Sequence, residues 1–230
     1  MENEQNTNEA AAPSAQAADA QEQPAIDLIL ASGSPRRKQL LEDAGVAFAV
    51  RVSDVDEALD ADLLADPPEA AKKLAERKAG AVVQEVLSED YLGVAAVLGA
   101  DTMVVLDGEI FGKPASLSDA KRMLRRLSGR THEVLTAVSV WMVAAPEAEK
   151  ISVGFRTFVD RAAVTFRDLT DEEITAYLKL GESFDKAGAY AIQGAGANFV
   201  DRVEGAMDTV IGLPVGRLRE DFPDLMAPVA

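Results

Sequence analysis

Residues 28–45 read LILASGSPRRKQLLEDAG, and this stretch decides how the rest of the chain is arranged. The apolar run at residues 26–31 predicts a strand, and a helical pattern follows it directly. Ser34 is a favourable N-cap, Pro35 suits the first helical position, and Gly45 is placed to end the helix. A strand therefore leads straight into the N-terminal end of a helix.

This strand-to-helix turn has the features of an anion site. A helix N-terminus presents unpaired backbone N–H groups and a partial positive charge. Arg36 and Arg37 lie in the first turn, where the helix dipole disfavours cations unless an anion lies beside them. Ser32 and Ser34 add hydroxyl donors, and Gly33 lets a ligand approach the backbone closely. The alternative is an ordinary surface turn with solvated arginines, since the motif is neither a Walker loop nor GxGxxG.

The composition limits the classes of function. The 230 residues suffice for one domain or two closely joined lobes, and 48% hydrophobic with 27% charged residues is typical of a globular protein. No apolar run is long enough to span a membrane, so we expect no membrane partner and a cytoplasmic location. The net charge of −16 argues against nucleic acid as a partner.

Cysteine is absent and there is one histidine. This excludes disulfides and thiolate nucleophiles and argues against zinc, because the usual zinc ligands are missing. Any metal is expected to be a hard divalent cation, Mg²⁺ or Mn²⁺, held by carboxylates and substrate oxygens.

Residues 1–25 are rich in Ala, Gln, Asn and Glu, and their low hydrophobicity predicts a disordered acidic tail before a single domain at residues 26–226. Strands are predicted at 48–52, 94–98, 103–106, 109–111, 132–143 and 152–166, helices at 67–87, 118–127, 170–181 and 214–222, and a hairpin from 189–193 and 197–203. Helices and strands mix without strict alternation, and several strands look antiparallel. The predicted fold class is α/β or α+β with a mixed, twisted sheet.

Several polar side chains lie at positions where folding alone does not require a polar residue. Asp101 lies between two apolar strands, where a carboxylate is costly unless it is paired or bound to a metal; the alternative is a turn aspartate. Lys113 follows the next hairpin and either returns to the same place or is simply exposed. Lys78 lies on the apolar stripe of the long helix, either snorkelling to water or beside an anion in a cleft. For His132 we favour an ordinary strand position after the end of a helix, and two alternatives for its side chain stay open: a hydrogen bond in the core or stabilisation of a phosphate.

Gln193 lies in a Gly- and Ala-rich segment that a ligand can approach closely. Its amide has both the donor and the acceptor needed to read a base edge; the alternative is a polar residue at a strand end. Together these segments supply cations for phosphates, carboxylates for a metal and a water, and an amide for a base. Hydrolysis of a nucleotide phosphate needs that set.

Six motifs, in order and spacing, make the chain similar to the Maf family of nucleoside triphosphate pyrophosphatases. They are ASGSPRR at 31–37, GADT at 99–102, GKP at 112–114, SGRTHEVLTAV at 128–138, DKAGAYAIQG at 185–194 and GLP at 212–214. The resemblance covers nearly all of residues 26–222. It implies a Maf/inosine-triphosphatase-like fold, which is an elongated, twisted mixed sheet flanked by helices, with two lobes around a cleft. The resemblance also implies a homodimer.

The resemblance further implies cleavage between the α- and β-phosphates, releasing a nucleoside monophosphate and pyrophosphate with the help of a divalent cation. By matched position, Asp101 is the general base that activates water and also a candidate metal ligand. Glu57 helps to bind metal or water. The residues that the resemblance assigns to the phosphates are Ser32, Arg36, Arg37, Lys78, Lys113 and Lys186.

Substrate choice in the family follows three positions, which here are Arg36, Thr102 and Gln193. This set resembles that of the dTTP/UTP pyrophosphatases, with modified pyrimidine triphosphates as further substrates, whereas the 7-methyl-GTP subgroup typically has Trp, Gln and Glu. Two alternatives stay open. One is a pyrophosphatase for 7-methyl-GTP or another nucleotide; the other is a non-catalytic, nucleotide-sensing regulator of septum formation, against which the presence of Asp101 counts.

Overall fold

The computed structural model describes residues 26–52, 54–147 and 150–228, so the predicted tail at 1–25 lies outside the described residues. The strands are β1 (Ile26–Leu30), β2 (Ala49–Val50), β3 (Gly93–Leu106), β4 (Glu109–Phe111), β5 (Thr131–Glu147), β6 (Lys150–Phe166) and β7 (Val200–Glu204). The helices are α1 (Pro35–Asp43), α2 (Ala61–Leu64), α3 (Pro67–Ser88), α4 (Leu117–Leu127), α5 (Asp171–Leu178), α6 (Met207–Ile211) and α7 (Val215–Asp221), and 3₁₀ helices lie at Ala187–Ala189 and Gly194–Phe199.

A seven-stranded mixed sheet runs through the molecule. Its order is β2-β1-β3-β5-β6-β7, and β4 pairs with β3 off this path. β1 is parallel to both β2 and β3, whereas β3, β5, β6 and β7 pair antiparallel in succession. The three central strands are 14, 17 and 17 residues long and therefore extend beyond their shorter neighbours. The predicted mixed sheet flanked by helices is confirmed.

One edge of β3 is covered in two separate pieces. β1 pairs with it only as far as Leu98, and β4 begins to pair at Val104. Between these points, residues 99–103 pair with β5 on one side and with none of the described strands on the other. The topology thus leaves a gap in the sheet edge, and Asp101 and Thr102 lie in it.

Alternate side chains of β3 face opposite sides of the sheet. On one side α3 covers the strand through buried residues such as Ala75 and Val82. On the other side there are two apolar cores. The first joins Leu98 to α1 and α7, and the second joins Val104 to α4 and α5. The gap in the sheet edge lies where these two lobes meet.

The predicted hairpin at 189–193 and 197–203 is wrong. Residues 190–193 lie between the two 3₁₀ helices without regular structure, residues 197–199 belong to the second of these helices, and only Val200–Glu204 is a strand, paired with β6. Gly188, Ala189 and Gly194 have positive φ angles of 68°, 62° and 80°, so the chain turns repeatedly instead of extending. The two strands predicted at 94–98 and 103–106 are one strand, β3, because β5 pairs with it across the intervening residues.

His132 lies in β5, as predicted, and of the two alternatives for its side chain the structure supports the position in the core of the second lobe. It is 2% exposed and makes edge-to-face contacts with Phe166 and Tyr190. Its Nε2 atom is 2.8 Å from the Tyr190 hydroxyl. Burial lowers the pKa of His132 from 6.5 to about 4, so the side chain is neutral at pH 7.

We expect His132 to make folding stability depend on pH in acid. Its pKa is about 6.5 in the unfolded chain and about 4 in the fold, so between these values the unfolded chain binds the extra proton. The free energy of unfolding should therefore fall by about 2 kcal/mol between pH 7 and pH 5 through this group alone. Urea denaturation of the native chain and of His132→Gln at both pH values measures it. The same pH dependence in both proteins would contradict the assignment.

Candidate active site

The gap in the sheet edge opens into a cleft of about 700 Å³. Its walls come from the β1–α1 turn, the middle of β3, one face of α3, the segment after β4, and residues 185–193. Every site residue predicted from the sequence lines it: Ser32, Arg36, Arg37, Glu57, Lys78, Asp101, Thr102, Lys113, Lys186 and Gln193. Together with the loop that carries Glu57, six segments that are distant in sequence thus contribute these residues to one cleft.

The β1–α1 turn points the start of α1 into the cleft. Ser34 is the N-cap, and its side chain accepts a hydrogen bond from the Arg37 N–H at 3.5 Å. Pro35 occupies the first turn, where its missing N–H costs nothing. The Ser32 hydroxyl, only 9% exposed as a residue, accepts the Ser34 N–H at 3.2 Å. The predicted strand-to-helix turn is confirmed.

The two arginines of this turn differ in how they are held. The Arg37 guanidinium donates to three oxygens: Nε to the Gly212 carbonyl at 2.8 Å, Nη1 to Ser32 Oγ at 3.1 Å and Nη2 to Thr102 Oγ1 at 3.1 Å. Burial lowers the pKa of Arg37 and the charge of Asp101 opposes this, but a guanidinium stays charged in any case. Arg36 makes one ion pair, 3.4 Å from Asp185. Arg37 is fixed by the fold, and Arg36 faces the open cleft.

Lys78 reaches the gap because α3 lies unusually close to β3. A Cβ atom at Gly99 would be 2.4 Å from the Ala75 carbonyl oxygen, so only glycine allows this approach. Lys78 follows Ala75 by one turn, and its Nζ lies 2.7 Å from Asp101 Oδ1 and 2.7 Å from Glu57 Oε1. Its side chain is 13% exposed. Of the two alternatives for Lys78, the structure supports the position inside the cleft.

The two carboxylates around Lys78 have different proton affinities. Burial raises the pKa of Asp101 above its ordinary value, although the Lys78 hydrogen bond and the charges of Lys78 and Arg37 oppose the rise. Burial also raises the pKa of Glu57, but there Lys78 and Lys113 outweigh it and the net pKa is lowered. Lys113 Nζ is 3.7 Å from Glu57. Asp101 is therefore the carboxylate of this pair that accepts a proton more readily.

The far wall of the cleft carries Lys186 and Gln193. Lys186 Nζ is 2.5 Å from Asp185 Oδ1, and its side chain is mostly buried. Gln193 is exposed at the start of the second 3₁₀ helix, not at a strand end. The backbone just before it is anchored, because the Ala191 N–H donates to the Tyr177 hydroxyl at 3.2 Å. Gln193 thus has a defined backbone position and a side chain open to the cleft.

Sequence reasoning missed two threonines behind the cleft. Thr136 in β5 and Thr209 in α6 are both fully buried, and both lie in a hydrogen-bonded row that reaches Thr102. Threonine is common in strands, so Thr136 gave no signal. The helix α6 was not predicted at all, so nothing indicated that Thr209 lies beside β5.

Comparison with known proteins gives a consistent result. The family described as Maf-like protein matches residues 27–224. The dTTP/UTP pyrophosphatase of Bacillus thuringiensis subsp. konkukian (strain 97-27) is 46% identical over 191 residues, which are 83% of this chain and 91% of that protein. The dTTP/UTP pyrophosphatase of Bacillus cereus (strain ATCC 10987 / NRS 248) is also 46% identical, over 83% of this chain and 86% of its own length.

A crystal structure of a nucleoside-triphosphatase / dITP/XTP pyrophosphatase from Mycobacterium abscessus aligns with 12% identity and a TM-score of 0.39, over 86% of this chain and 94% of that one. Among the described helices, none combines the length and apolar character needed to cross a bilayer. The expected homodimer, cytoplasmic location and disordered tail stay predictions.

We expect Lys78 to contribute to stability through the buried carboxylate. Lys78→Met leaves Asp101 without its main partner and should lower the free energy of unfolding by about 3 kcal/mol at pH 7. The loss should shrink in acid, because protonated Asp101 needs no cation. Lys113→Met is the matched control: this lysine also faces Glu57 but its side chain is 62% exposed, so about 0.5 kcal/mol is expected. Equal losses by urea denaturation would contradict this difference.

Proposed function

Because the chain belongs to the Maf family, we propose that it is a nucleoside triphosphate pyrophosphatase that hydrolyses dTTP and UTP, with modified pyrimidine triphosphates as further substrates. The products are the nucleoside monophosphate and pyrophosphate. The observation that carries the proposal is the cleft itself, where cationic side chains from distant segments surround one buried carboxylate, Asp101.

The triphosphate is proposed to lie along the cationic wall of the cleft. The start of α1 offers backbone N–H groups, and Arg37 with the Ser32 hydroxyl lies beside them. Arg36, Lys113 and Lys186 line other parts of the cleft, each paired with a carboxylate that a phosphate can replace. This charge supports binding of a small polyanion by a chain whose net charge is −16.

The proposed reaction is an in-line displacement at the α-phosphorus. The oxygen of a water forms a bond to this phosphorus, the bond to the oxygen bridging the α- and β-phosphates breaks, and pyrophosphate leaves. Asp101 takes the proton of the attacking water. Burial raises its pKa, which makes it a stronger base than an ordinary aspartate, while Lys78 and Arg37 oppose the rise and favour the ionised form. The cations along the cleft stabilise the charge on the leaving pyrophosphate.

A divalent metal fits this cleft. Maf-type nucleotide pyrophosphatases generally depend on one. Glu57 and Asp101 both contact the Lys78 ammonium at 2.7 Å, so two carboxylates with hard oxygen donors lie beside one another in the cleft. No group of three or more His, Cys, Asp or Glu side chains within the described ranges is placed to hold a metal alone. Mg²⁺ or Mn²⁺ would therefore share these two carboxylates with substrate oxygens and waters, and would supply charge neutralisation at the phosphates.

Replacing the proposed base separates turnover from binding. We expect Asp101→Asn to lower kcat by at least about 100-fold, because no other group takes the water's proton. Nucleotide affinity should change by less than about threefold, since the cations remain. Pyrophosphate release measures the first and calorimetry the second, with Asp107→Asn as an exposed-carboxylate control. Unchanged turnover in Asp101→Asn would show that another group is the base, and no release by the native chain would favour a nucleotide-sensing regulator.

The preference for one nucleobase over another in the substrate is proposed to depend on Gln193, together with Arg36 and Thr102. We expect the native chain to hydrolyse dTTP and UTP in preference to 7-methyl-GTP, and Gln193→Glu to reduce that preference by about tenfold, because a carboxylate lacks the amide donor. Gln84→Glu introduces the same charge on the exposed side of α3, outside the cleft, and should leave the ranking unchanged. Ratios of kcat/KM for the three nucleotides test this, and an unaltered ranking in Gln193→Glu would exclude it as a base reader.

A further inference from the structure

A row of hydrogen-bonded polar groups crosses the sheet behind the cleft, between the apolar cores of the two lobes. It runs from Asp160 in β6 through Thr209 in α6, Thr136 in β5 and Thr102 in β3 to Arg37. Thr136 and Thr209 are fully buried, and neither is among the residues that line the cleft. Burying a hydroxyl lowers the free energy of unfolding unless the hydroxyl is hydrogen-bonded. A row of buried hydroxyls between two apolar cores therefore indicates a role other than packing.

The directions of these hydrogen bonds follow from the donors available. A hydroxyl has one hydrogen, and Thr136 gives its hydrogen to the Thr209 carbonyl at 2.7 Å. The 3.0 Å contact between Thr136 and Thr102 must therefore be donated by Thr102. The hydrogen of Thr102 is thus committed, and its oxygen is free to accept from Arg37 Nη2.

The same row fixes the other acceptors of Arg37. Thr136 binds the backbone of α6 at Thr209, and the Thr209 hydroxyl donates to Asp160. Gly212 is the C-cap of α6, and its carbonyl accepts a hydrogen bond from Arg37 Nε at 2.8 Å. Two of the three oxygens around the guanidinium are therefore positioned through Thr136.

The position of Arg37 in turn determines the hydrogen bonds of Ser32, which lines the cleft. Its oxygen accepts from Arg37 Nη1 at 3.1 Å and from the Ser34 N–H at 3.2 Å, so both of its lone pairs are used. Its own hydrogen then remains for an acceptor on the cleft side. A phosphate oxygen is such an acceptor, whereas a donor such as an ammonium is not.

We propose that Thr136, Thr209 and Asp160 are positioning residues, which hold Arg37 in one orientation and thereby make the Ser32 hydroxyl a donor to the substrate's phosphates. Thr102 acts in the same row, through Arg37, and its hydrogen does not reach the nucleotide. The inference rests on the proposed function only in naming the nucleotide as the source of those phosphates.

The test removes one hydroxyl of the row without changing its volume. In Thr136→Val, the KM for dTTP and the Kd for inorganic tripolyphosphate are both expected to rise about tenfold, with kcat changed less than about threefold, because phosphate binding is affected before and during the reaction alike. Thr136→Ser restores the hydroxyl and should restore both values. Thr209→Val breaks the bond to Asp160 and should move both in the same direction, which provides a second variant if Thr136→Val does not fold.

Ser139→Ala is the matched control for lost stability. Ser139 is also in β5, is also fully buried and also bonds across to a neighbouring strand, but it contacts Thr157 and Trp141 instead of the row. It should lower the denaturation midpoint without changing KM or tripolyphosphate affinity. If Thr136→Val behaves in the same way as Ser139→Ala, the positioning role is refuted and only a structural role remains.

A double variant tests whether the row acts through Arg37. In an Arg37→Lys background, adding Thr136→Val should raise KM and the tripolyphosphate Kd by less than about twofold, because the group being oriented is gone. Effects that multiply would overturn the proposal. Tripolyphosphate binding also separates the two hypotheses: if the native chain releases pyrophosphate from no nucleotide, the proposed function fails, while the affinities of the variants still decide the role of the row.

Discussion

The site depends on the incomplete strand pairing along β3. β1 covers this edge up to Leu98, and β4 covers it again from Val104. A strand edge left open in the middle of a sheet has unpaired backbone groups and invites a ligand or a covering element. Around this gap lie the N-terminus of α1, Lys78 of α3 and the acidic loop that carries Glu57, and the cleft opens between them. The cleft is thus a property of the topology, and the side chains around it decide what it binds.

Close packing of α3 against β3 places a cation beside the buried carboxylate in the gap. Gly99 lets α3 approach β3, and this approach brings the Lys78 ammonium to the buried Asp101. Without that cation, burial alone would favour the neutral acid. The hydrogen bond and charge of Lys78 oppose this effect and favour the ionised form of Asp101, which is the form that a general base needs. A glycine in a strand, an alanine stripe on a helix and one lysine therefore act together on a single carboxylate.

The sequence was most informative where local rules determine the structure. The N-cap at Ser34 and the buried strands follow from short-range patterns, and the positions of Asp101 and Arg37 were recognisable as costly without a partner. It was misleading at residues 187–199, where several positive φ angles override an apolar pattern that is typical of strands. Nothing in the sequence indicated the role of Thr136. The role of a threonine in a strand depends on the groups beside it. Here those groups belong to β3 and α6, which lie more than thirty residues away in sequence on either side.

The charge balance of the cleft explains how an acidic chain can hold a polyanion. Five cationic side chains face it, Arg36, Arg37, Lys78, Lys113 and Lys186, against the three carboxylates Glu57, Asp101 and Asp185. In the free protein these carboxylates pair with Arg36, Lys78, Lys113 and Lys186, so the cations are held in place without being exposed as a bare positive patch. A long nucleic acid would meet the repulsion of the remaining surface, whereas a triphosphate fits within the cleft and replaces Asp185 and Glu57 as the partner of three of the cations. The ion pairs thus hold the cations at positions where a small, highly charged substrate can reach them.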